Sequence, residues 1–185
     1  MSNIPTFTPK EYALQVSEFK PLYEPIGALV LAFAELEATL TFTIDPLMGL
    51  TYAEGRALEA LMMSFSARVQ LFHTLALMHT RGKGLRDEIP ELVSRLDEAY
   101  TKRNDLIHGA WSMISGNKYG KIKFRAKAGL KQIDRVHQVS VDDLWEAHKF
   151  IMGTMLSLLK WRDKFNRSHY PPGVWRPVRF PFPDK

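Results

Sequence analysis

Residues 96–127 read LDEAYTKRNDLIHGAWSMISGNKYGKIKFRAK, and the hydrophobic period changes within this stretch. Before Gly109 the apolar side chains recur every three or four residues, which is typical of an amphipathic helix that ends at this glycine. From Lys121 to Lys127, basic and apolar residues alternate, which is the period of a half-buried strand. The stretch therefore predicts a helical protein that carries a β insertion.

The predicted insertion covers about residues 110–139. Residues 110–115 and 132–139 are expected to pair with the alternating strand at 121–127, because turn-forming dipeptides separate the three segments. These dipeptides are Gly116-Asn117 and Ala128-Gly129. The insertion is thus expected to be a small antiparallel sheet between the last two helices.

Helices are predicted on both sides of the insertion. In a capping box, a Ser or Thr side chain accepts a backbone N–H, and a carboxylate three residues later reaches back to the start of the helix. The boxes are Thr8–Glu11, Thr51–Glu54 and Ser140–Asp143. Two more helices are expected, one from Pro25 to about Pro46 and one that starts near Asp87 with Pro90 in its first turn. The Thr51 helix should stop at the 81–84 turn, and the last helix should reach about Asn166.

Each predicted helix has an apolar face. The residues expected to be buried after Pro25 are Ile26, Leu29, Val30, Phe33, Leu40 and Ile44. In the Thr51 helix they are Leu58, Leu61, Met62, Phe65, Val69, Phe72 and Ala76. In the Asp87 helix they are Ile89, Leu92, Val93, Leu96, Tyr100 and Ile107. The last helix supplies Leu144, Trp145, Phe150, Ile151, Met155, Leu158, Leu159 and Trp161.

The composition excludes several kinds of chemistry. The 185 residues include no Cys, so disulfides, a thiolate nucleophile and Cys-ligated zinc are ruled out. There is no phosphate-binding loop or dinucleotide fingerprint, and the six His show no paired metal-ligand spacing. We therefore expect no metal and no cofactor.

The sequence also predicts a cytoplasmic protein without a membrane span. Its longest uncharged apolar run, residues 25–34, is shorter than the roughly 20 residues that cross a bilayer. The first residues, Met-Ser-Asn-Ile-Pro-Thr, lack the basic segment and apolar stretch of a secretory signal. The last segment, residues 170–185, holds five of the eleven Pro and should form an extended strap that packs on its own chain or on a partner.

Positive charge is concentrated in the second part of the chain. Residues 1–80 carry 4 Lys/Arg and 8 Asp/Glu, a net charge of −4, whereas residues 81–185 carry 21 and 12, a net charge of +9. Alternation places four basic residues on one side of the predicted central strand: Lys121, Lys123, Arg125 and Lys127. Such a face can bind the phosphate backbone of a nucleic acid, and it can equally be a solvated strand face.

Residues 102–109 place an arginine, an asparagine and a histidine, Arg103, Asn104 and His108, in the last turns of a helix. Arg103 lies on the apolar stripe, where an unpaired charge is unfavourable. Glu37 lies on the apolar stripe of the Pro25 helix, whereas Glu35 points the opposite way, so Glu37 is predicted to pair with Arg103. The alternative is that the pair is purely structural and fixes the helix register.

Arg followed by His after four to six residues occurs three times: Arg68…His73, Arg103…His108 and Arg162…His169. The spacing alone is therefore weak evidence. The middle pair differs because Asn104 follows the arginine and Gly109 follows the histidine. On a regular helix, residues five apart diverge by about 140°. Unwinding at Gly109, or a symmetric dimer that brings two segments together, could bring the groups into one site.

The segment Arg103-Asn104-Asp105-Leu106-Ile107-His108 resembles the R-x(4–6)-H motif of the HEPN superfamily, and the likeness covers roughly residues 20–168. The resemblance implies a mainly α fold: an antiparallel helical bundle as one domain over residues 1–169, with the β insertion and the Pro-rich strap as additions. It also implies that Arg103, Asn104 and His108 form the active site, supported by an acidic residue, for which Glu37 is the candidate.

Many HEPN proteins are homodimers and metal-independent ribonucleases, so the resemblance implies a metal-independent endoribonuclease. Its biological role as a toxin, in defence or in housekeeping stays open. RNA would be cleaved by attack of a 2′-hydroxyl, with imidazole for proton transfer, guanidinium for phosphate charge, and the basic strand face as a guide for RNA. The partners of such a protein would be RNA, a second copy of the chain, and an antitoxin or regulatory protein.

Two alternatives stay open. One is a non-catalytic HEPN-like homodimeric scaffold that binds RNA, a nucleotide or a protein, and the other is a plain helical interaction module.

Overall fold

The structure, a computed structural model, describes the backbone of residues 9–50, 64–80, 83–108, 110–115, 118–127 and 130–169. Side chains are described for residues 17–50, 64–80, 84–108, 111–112, 119–120 and 138–169. The helices are α1 (Pro9–Leu47), α2 (Phe65–His79), α3 (Lys83–Asp87), α4 (Ile89–Ile107) and α5 (Val141–His169). Between α4 and α5 lie β1 (Ala110–Ser115), β2 (Lys118–Lys127) and β3 (Leu130–Val139). The described part of the chain is thus mainly helical with a small sheet, as predicted.

Some of the predictions fall outside the described residues. They concern the capping residues Thr8 and Thr51, the core positions in residues 51–63, the two turns of the sheet and the C-terminal strap at 170–185. These predictions stay as they are.

Helix α1 is longer than expected. The sequence predicts a separate helix after Pro25, but α1 runs without interruption through Pro21 and Pro25. A proline inside a helix removes one hydrogen bond and crowds the preceding turn. Here the buried stripe continues across Pro25, from Leu22 to Leu29 and beyond, so packing of the stripe outweighs the cost at this proline.

The buried face of α1 also differs in detail from the prediction. Leu29, Phe33, Leu40 and Ile44 are buried, as expected, and the fully buried Leu36 was not expected. The expectation for Val30 was wrong, since its side chain is 41% exposed. The stripe in the structure follows Leu22, Leu29, Phe33, Leu36, Leu40, Ile44 and Leu47.

Helix α1 ends one residue after the predicted Pro46. Gly49 has a φ of +70°, the left-handed conformation that glycine adopts most easily. Its N–H donates to the Pro46 carbonyl, and the Leu50 N–H donates to the Asp45 carbonyl. This pair of bonds is a Schellman motif, which satisfies carbonyls at the end of the helix.

Within the described residues, one segment, Ser17–Leu47 of α1, is long and apolar enough to cross a membrane. Buried core helices of soluble proteins and N-terminal signal sequences share this length and composition. Within this segment Leu29, Leu36 and Leu40 are fully buried in the protein, whereas Tyr23, Val30 and Leu31 are exposed.

The helix predicted from Thr51 to the 81–84 turn is interrupted at Ser64, where α2 begins, and the first part of that predicted helix lies outside the described residues. Ser64 has non-helical backbone angles, and its hydroxyl accepts the N–H of Ala67 at 3.2 Å, so a new helix starts here. Ser competes locally for backbone groups in this way, which favours it at helix starts. The expected core residues Phe65, Val69, Phe72 and Ala76 are all buried.

Helices α4 and α5 begin as predicted. Pro90 is the second residue of α4, where its missing N–H is tolerated. At the start of α5 the Ser140 N–H donates to Asp143 Oδ2 at 2.7 Å, and the Asp143 N–H donates to Ser140 Oγ at 3.2 Å. These reciprocal bonds are the predicted capping box. Helix α5 extends to His169, beyond the predicted end at Asn166.

The three strands form one antiparallel sheet in the order β1-β2-β3. Lys121 is opposite Trp111 on β1 and His137 on β3. The register shifts between Lys123 and Phe124, and Asp134 is the additional residue on β3. Such a bulge increases the local twist of a sheet.

The chain divides into two compact units. The first unit comprises Met1–Leu36 and Glu98–Gly153, and the second comprises Glu37–Asp97 and Thr154–Lys185. In the first unit, the hydroxyl of Tyr119 on β2 donates to the Glu18 carbonyl of α1, and its ring packs on Phe19.

In the second unit, Trp161 of α5 is fully buried. Its ring meets Phe72 of α2 edge-on at a centroid distance of 5.2 Å, and its Nε1–H donates to the Leu85 carbonyl. The indole therefore buries a large apolar surface while its polar atom remains hydrogen-bonded.

Candidate active site

The predicted triad lies in the first unit, at the end of α4. Arg103 Nη1 donates to Asn104 Oδ1 at 2.9 Å and lies 2.6 Å from His108 Nε2. The structure thus brings together all three residues that the motif singled out. We call this cluster the Arg103 site.

The end of the helix explains how residues five apart can meet. Helix α4 ends at Ile107, so His108 is the first residue beyond it, although its N–H still donates to the Asn104 carbonyl at 3.1 Å. The His108 side chain is exposed and can turn back, and the long Arg103 side chain spans the remaining distance. On a regular helix the side chains of residues 103 and 108 would point in different directions. They meet here because the helix ends before His108 and because the arginine side chain is long.

Arg103 rests on an aromatic ring. Its guanidinium carbon lies 5.4 Å from the ring centroid of Phe33, which is only 4% exposed. Phe33 in turn packs against Tyr100, at a centroid distance of 6.3 Å. A cation over an aromatic face is attracted by the ring quadrupole. The sequence predicts Phe33 on the apolar stripe of one helix and Arg103 on the apolar stripe of another, but these patterns did not identify the contact between the two side chains.

The guanidinium of Arg103 has no carboxylate within ion-pair distance among the residues that the structure describes. Its Nε is buried without a hydrogen-bond partner in that same part of the chain. A half-buried cation of this kind gains free energy when an anion binds beside it. The Arg103 site is therefore suited to an oxyanion such as phosphate.

Glu37, the predicted supporting carboxylate, lies in the second unit. Its Oε1 accepts a hydrogen bond from Arg68 Nη2 at 2.9 Å, and Arg68 Nη1 also donates to Thr41 Oγ1. Arg68, which lies one turn before the buried Phe72, was not predicted from the sequence as the partner of Glu37. The predicted role of Glu37 beside Arg103 stays a prediction.

The other two Arg–His pairs of similar spacing, Arg68…His73 and Arg162…His169, form no hydrogen bond between the arginine and the histidine within the described residues. Arg68 binds Glu37, while Arg162 lies 3.9 Å from Asp163. His169 has both ring nitrogens within 2.9 Å of carbonyl oxygens, those of Phe165 and His79. The direct Arg–His contact thus distinguishes the middle pair from two pairs of similar spacing.

A cavity of about 580 Å³ lies within the second unit. Its walls are mainly apolar, and none of the predicted site residues lines it. The lining residues are Pro46, Leu47, Met48, Gly49, Leu75, His79, Phe165 and His169. This cavity is therefore separate from the residues of the motif.

The predicted RNA-binding residues occupy alternate positions of β2. They are Lys121, Lys123, Arg125 and Lys127, opposite His137, Arg135, Gln132 and Leu130 of β3. Their side chains lie outside the described residues, so their role stays a prediction. In the described part of the chain, no group of three or more His, Asp or Glu could hold a metal ion.

Comparison of the chain with protein-family models, with curated proteins and with solved structures found no match in any of the three.

Proposed function

We propose that this protein is a metal-independent endoribonuclease of the HEPN type, with Arg103, Asn104 and His108 as its active site. The observation that supports the proposal most strongly is the direct hydrogen bond between Arg103 and His108, on an arginine that has no carboxylate partner in the described residues. A cation and an imidazole side by side are the groups needed to cleave RNA without a metal.

In the proposed reaction, Arg103 binds the scissile phosphate and stabilises the charge that develops on it. His108 transfers a proton at the attacking 2′-oxygen or at the leaving oxygen, and Asn104 orients its neighbours. The 2′-hydroxyl attacks phosphorus, the bond to the 5′-oxygen breaks, and the products carry a 2′,3′-cyclic phosphate and a 5′-hydroxyl. The basic residues of β2 would guide the RNA backbone.

The experiment uses the purified full chain with structured and unstructured RNA in excess EDTA. Arg103→Ala and His108→Ala are compared with wild type, after circular dichroism shows that both are folded. We expect cleavage by wild type, and a loss of at least about a hundredfold in each variant, the lower end for removal of a general acid or base.

The chain offers a matched control for this experiment. His73→Ala removes the histidine of a pair with the same spacing, and a folded form of this variant should keep wild-type activity. Three outcomes contradict the proposal: folded wild type that is inert on every RNA, activity that survives in Arg103→Ala, and activity that requires a divalent metal.

A homodimer is part of the proposal, and an exposed apolar stripe on α1 in the first unit favours it. Tyr23, Val30 and Leu31 are 53%, 41% and 68% exposed, and their spacing places them on one side of the helix. A stripe of this kind suits contact with another protein surface.

If wild type binds RNA as a dimer without cleaving it, the non-catalytic HEPN-like scaffold becomes the better account. A toxin or defence role, an antitoxin or regulatory partner and a cytoplasmic location complete the proposal.

A further inference from the structure

We propose that Arg103 blocks the Nε2 lone pair of His108 until an oxyanion binds to Arg103 and releases it. This inference rests on the proposed function, because it makes the substrate's own phosphodiester the trigger that frees the proposed base. It concerns one hydrogen bond and the way in which that bond is exchanged.

The direction of the hydrogen bond between Arg103 and His108 is fixed by its donor. A guanidinium only donates, so His108 Nε2 must accept from Arg103 Nη1 at 2.6 Å. The imidazole in this arrangement is therefore neutral and carries its proton on Nδ1. Because the Nε2 lone pair already accepts a hydrogen bond from Arg103, it cannot accept a proton from a 2′-hydroxyl.

The guanidinium of Arg103 has a limited number of hydrogen-bond donors. Nη1 has two hydrogens, and it makes two contacts, with Asn104 Oδ1 and with His108 Nε2. The atom Nε is buried, so an approaching anion cannot easily use the edge formed by Nε and Nη2. A two-point contact with an oxyanion must instead use Nη1 and Nη2, which requires one hydrogen of Nη1 to change its partner.

The two hydrogen-bond partners of Nη1 differ in how easily they leave. Asn104 is half-buried within α4, whereas His108 is exposed and lies beyond the end of the helix, so its ring turns more freely. A charged oxygen is also a stronger acceptor for guanidinium than a neutral imidazole nitrogen. Phe33 supports the guanidinium while the partners change. Anion binding is therefore expected to release His108 rather than Asn104.

The test measures how fast diethyl pyrocarbonate modifies His108. This reagent acylates an imidazole nitrogen that has a free lone pair, and the rate is followed by mass spectrometry of the tryptic peptide that holds His108 as its only histidine. The probe is inorganic phosphate, compared with chloride at equal ionic strength and fixed pH. The proteins are wild type and Arg103→Ala.

Without phosphate, we expect His108 in wild type to react about five to ten times more slowly than in Arg103→Ala, which corresponds to one net hydrogen bond. Saturating phosphate should raise the wild-type rate to nearly that of the variant and leave the variant unchanged. His73 follows an arginine at the same spacing without such a contact, so its rate should not respond. The phosphate titration of wild type remains decisive if the variant does not fold.

Two results overturn the inference: equal rates in wild type and in folded Arg103→Ala, or a wild-type rate that phosphate leaves unchanged. The inference and the proposed function can fail separately. RNA cleavage without a phosphate effect on His108 refutes only the release step. A phosphate effect in a protein that cleaves no RNA supports an anion-triggered switch and refutes the nuclease.

Discussion

Arg103, at the scale of single residues, donates to Asn104 and His108 and rests on the ring of Phe33. The sequence could indicate Arg103, Asn104 and His108 as site residues because their types and order form a rare motif. It could not predict their contact, since helical geometry separates residues 103 and 108 by about 140°. It also did not predict the ion pair between Glu37 and Arg68, because the apolar stripe of a helix gives the direction of a side chain and not its partner.

The pair formed by Glu37 and Arg68 can be tested by a double-mutant cycle with Glu37→Gln and Arg68→Met. Their side chains are 34% and 18% exposed, so water weakens the interaction. We expect a coupling of about 0.5–1 kcal/mol in the free energy of unfolding, measured by urea denaturation. A parallel cycle with Glu37→Gln and Arg103→Met tests the pairing predicted from the sequence. If Glu37 couples to Arg103 and not to Arg68, the Glu37–Arg68 pair seen in the structure is refuted.

Two polar residues of α5 lie one turn apart in an unfavourable environment. Burial removes water from the Arg162 guanidinium and lowers the pKa of this group, although the charge of Asp163 acts in the opposite direction. Asn166 is only 2% exposed, and its amide has no hydrogen-bond partner among the described residues. Such unpaired buried atoms destabilise a fold.

Asn166→Leu replaces this amide with an apolar side chain of similar shape. Because unsatisfied polar atoms are removed, we expect the free energy of unfolding to rise by about 1 kcal/mol. Thermal and urea denaturation measure the change. A decrease of similar size would mean that the Asn166 amide makes a hydrogen bond that the structure does not contain.

At the scale of helices and strands, local signals predicted much of what the structure contains. The capping box at Ser140 and the alternation along β2 gave the correct element types because both depend on neighbouring residues. The length of α1 was not predictable in this way. The rule that prolines interrupt helices is local, whereas the stripe that keeps α1 continuous across Pro25 is stabilised by tertiary packing.

The capping box of α5 gives a prediction at this scale. Ser140→Ala removes the acceptor for the Asp143 N–H, so we expect the free energy of unfolding to fall by about 1 kcal/mol in urea denaturation. Ser94→Ala is the control, because Ser94 is exposed in the interior of α4, and alanine there should be neutral or slightly stabilising. An equal loss in both variants would contradict the role of the cap.

At the scale of the whole molecule, the proposed dimer is tested through the apolar stripe of α1. Leu31→Lys places a charge at a position that is 68% exposed, so the folded monomer should tolerate it, while a dimer that uses the stripe should dissociate. Size-exclusion chromatography with light scattering should give about 21.2 kDa for this variant and twice that mass for wild type.

Leu156→Lys serves as the control, since Leu156 is 50% exposed on α5 of the second unit. This variant should remain dimeric if the stripe on α1 is the interface. A wild type that is monomeric at every concentration, or a Leu31→Lys variant that remains dimeric, contradicts the proposed use of the stripe.

The central claim, that Arg103 and His108 cleave RNA by attack of a 2′-hydroxyl without a metal, is tested most directly by the chemistry of the product ends. Wild type is incubated in excess EDTA with a short RNA and with the same RNA lacking the 2′-hydroxyl at the mapped cleavage site, and the products are analysed by mass spectrometry. The account predicts a 2′,3′-cyclic phosphate from the first RNA and no cleavage of the second at that site. Cleavage of both at the same position, or products with a 5′-phosphate, would contradict it.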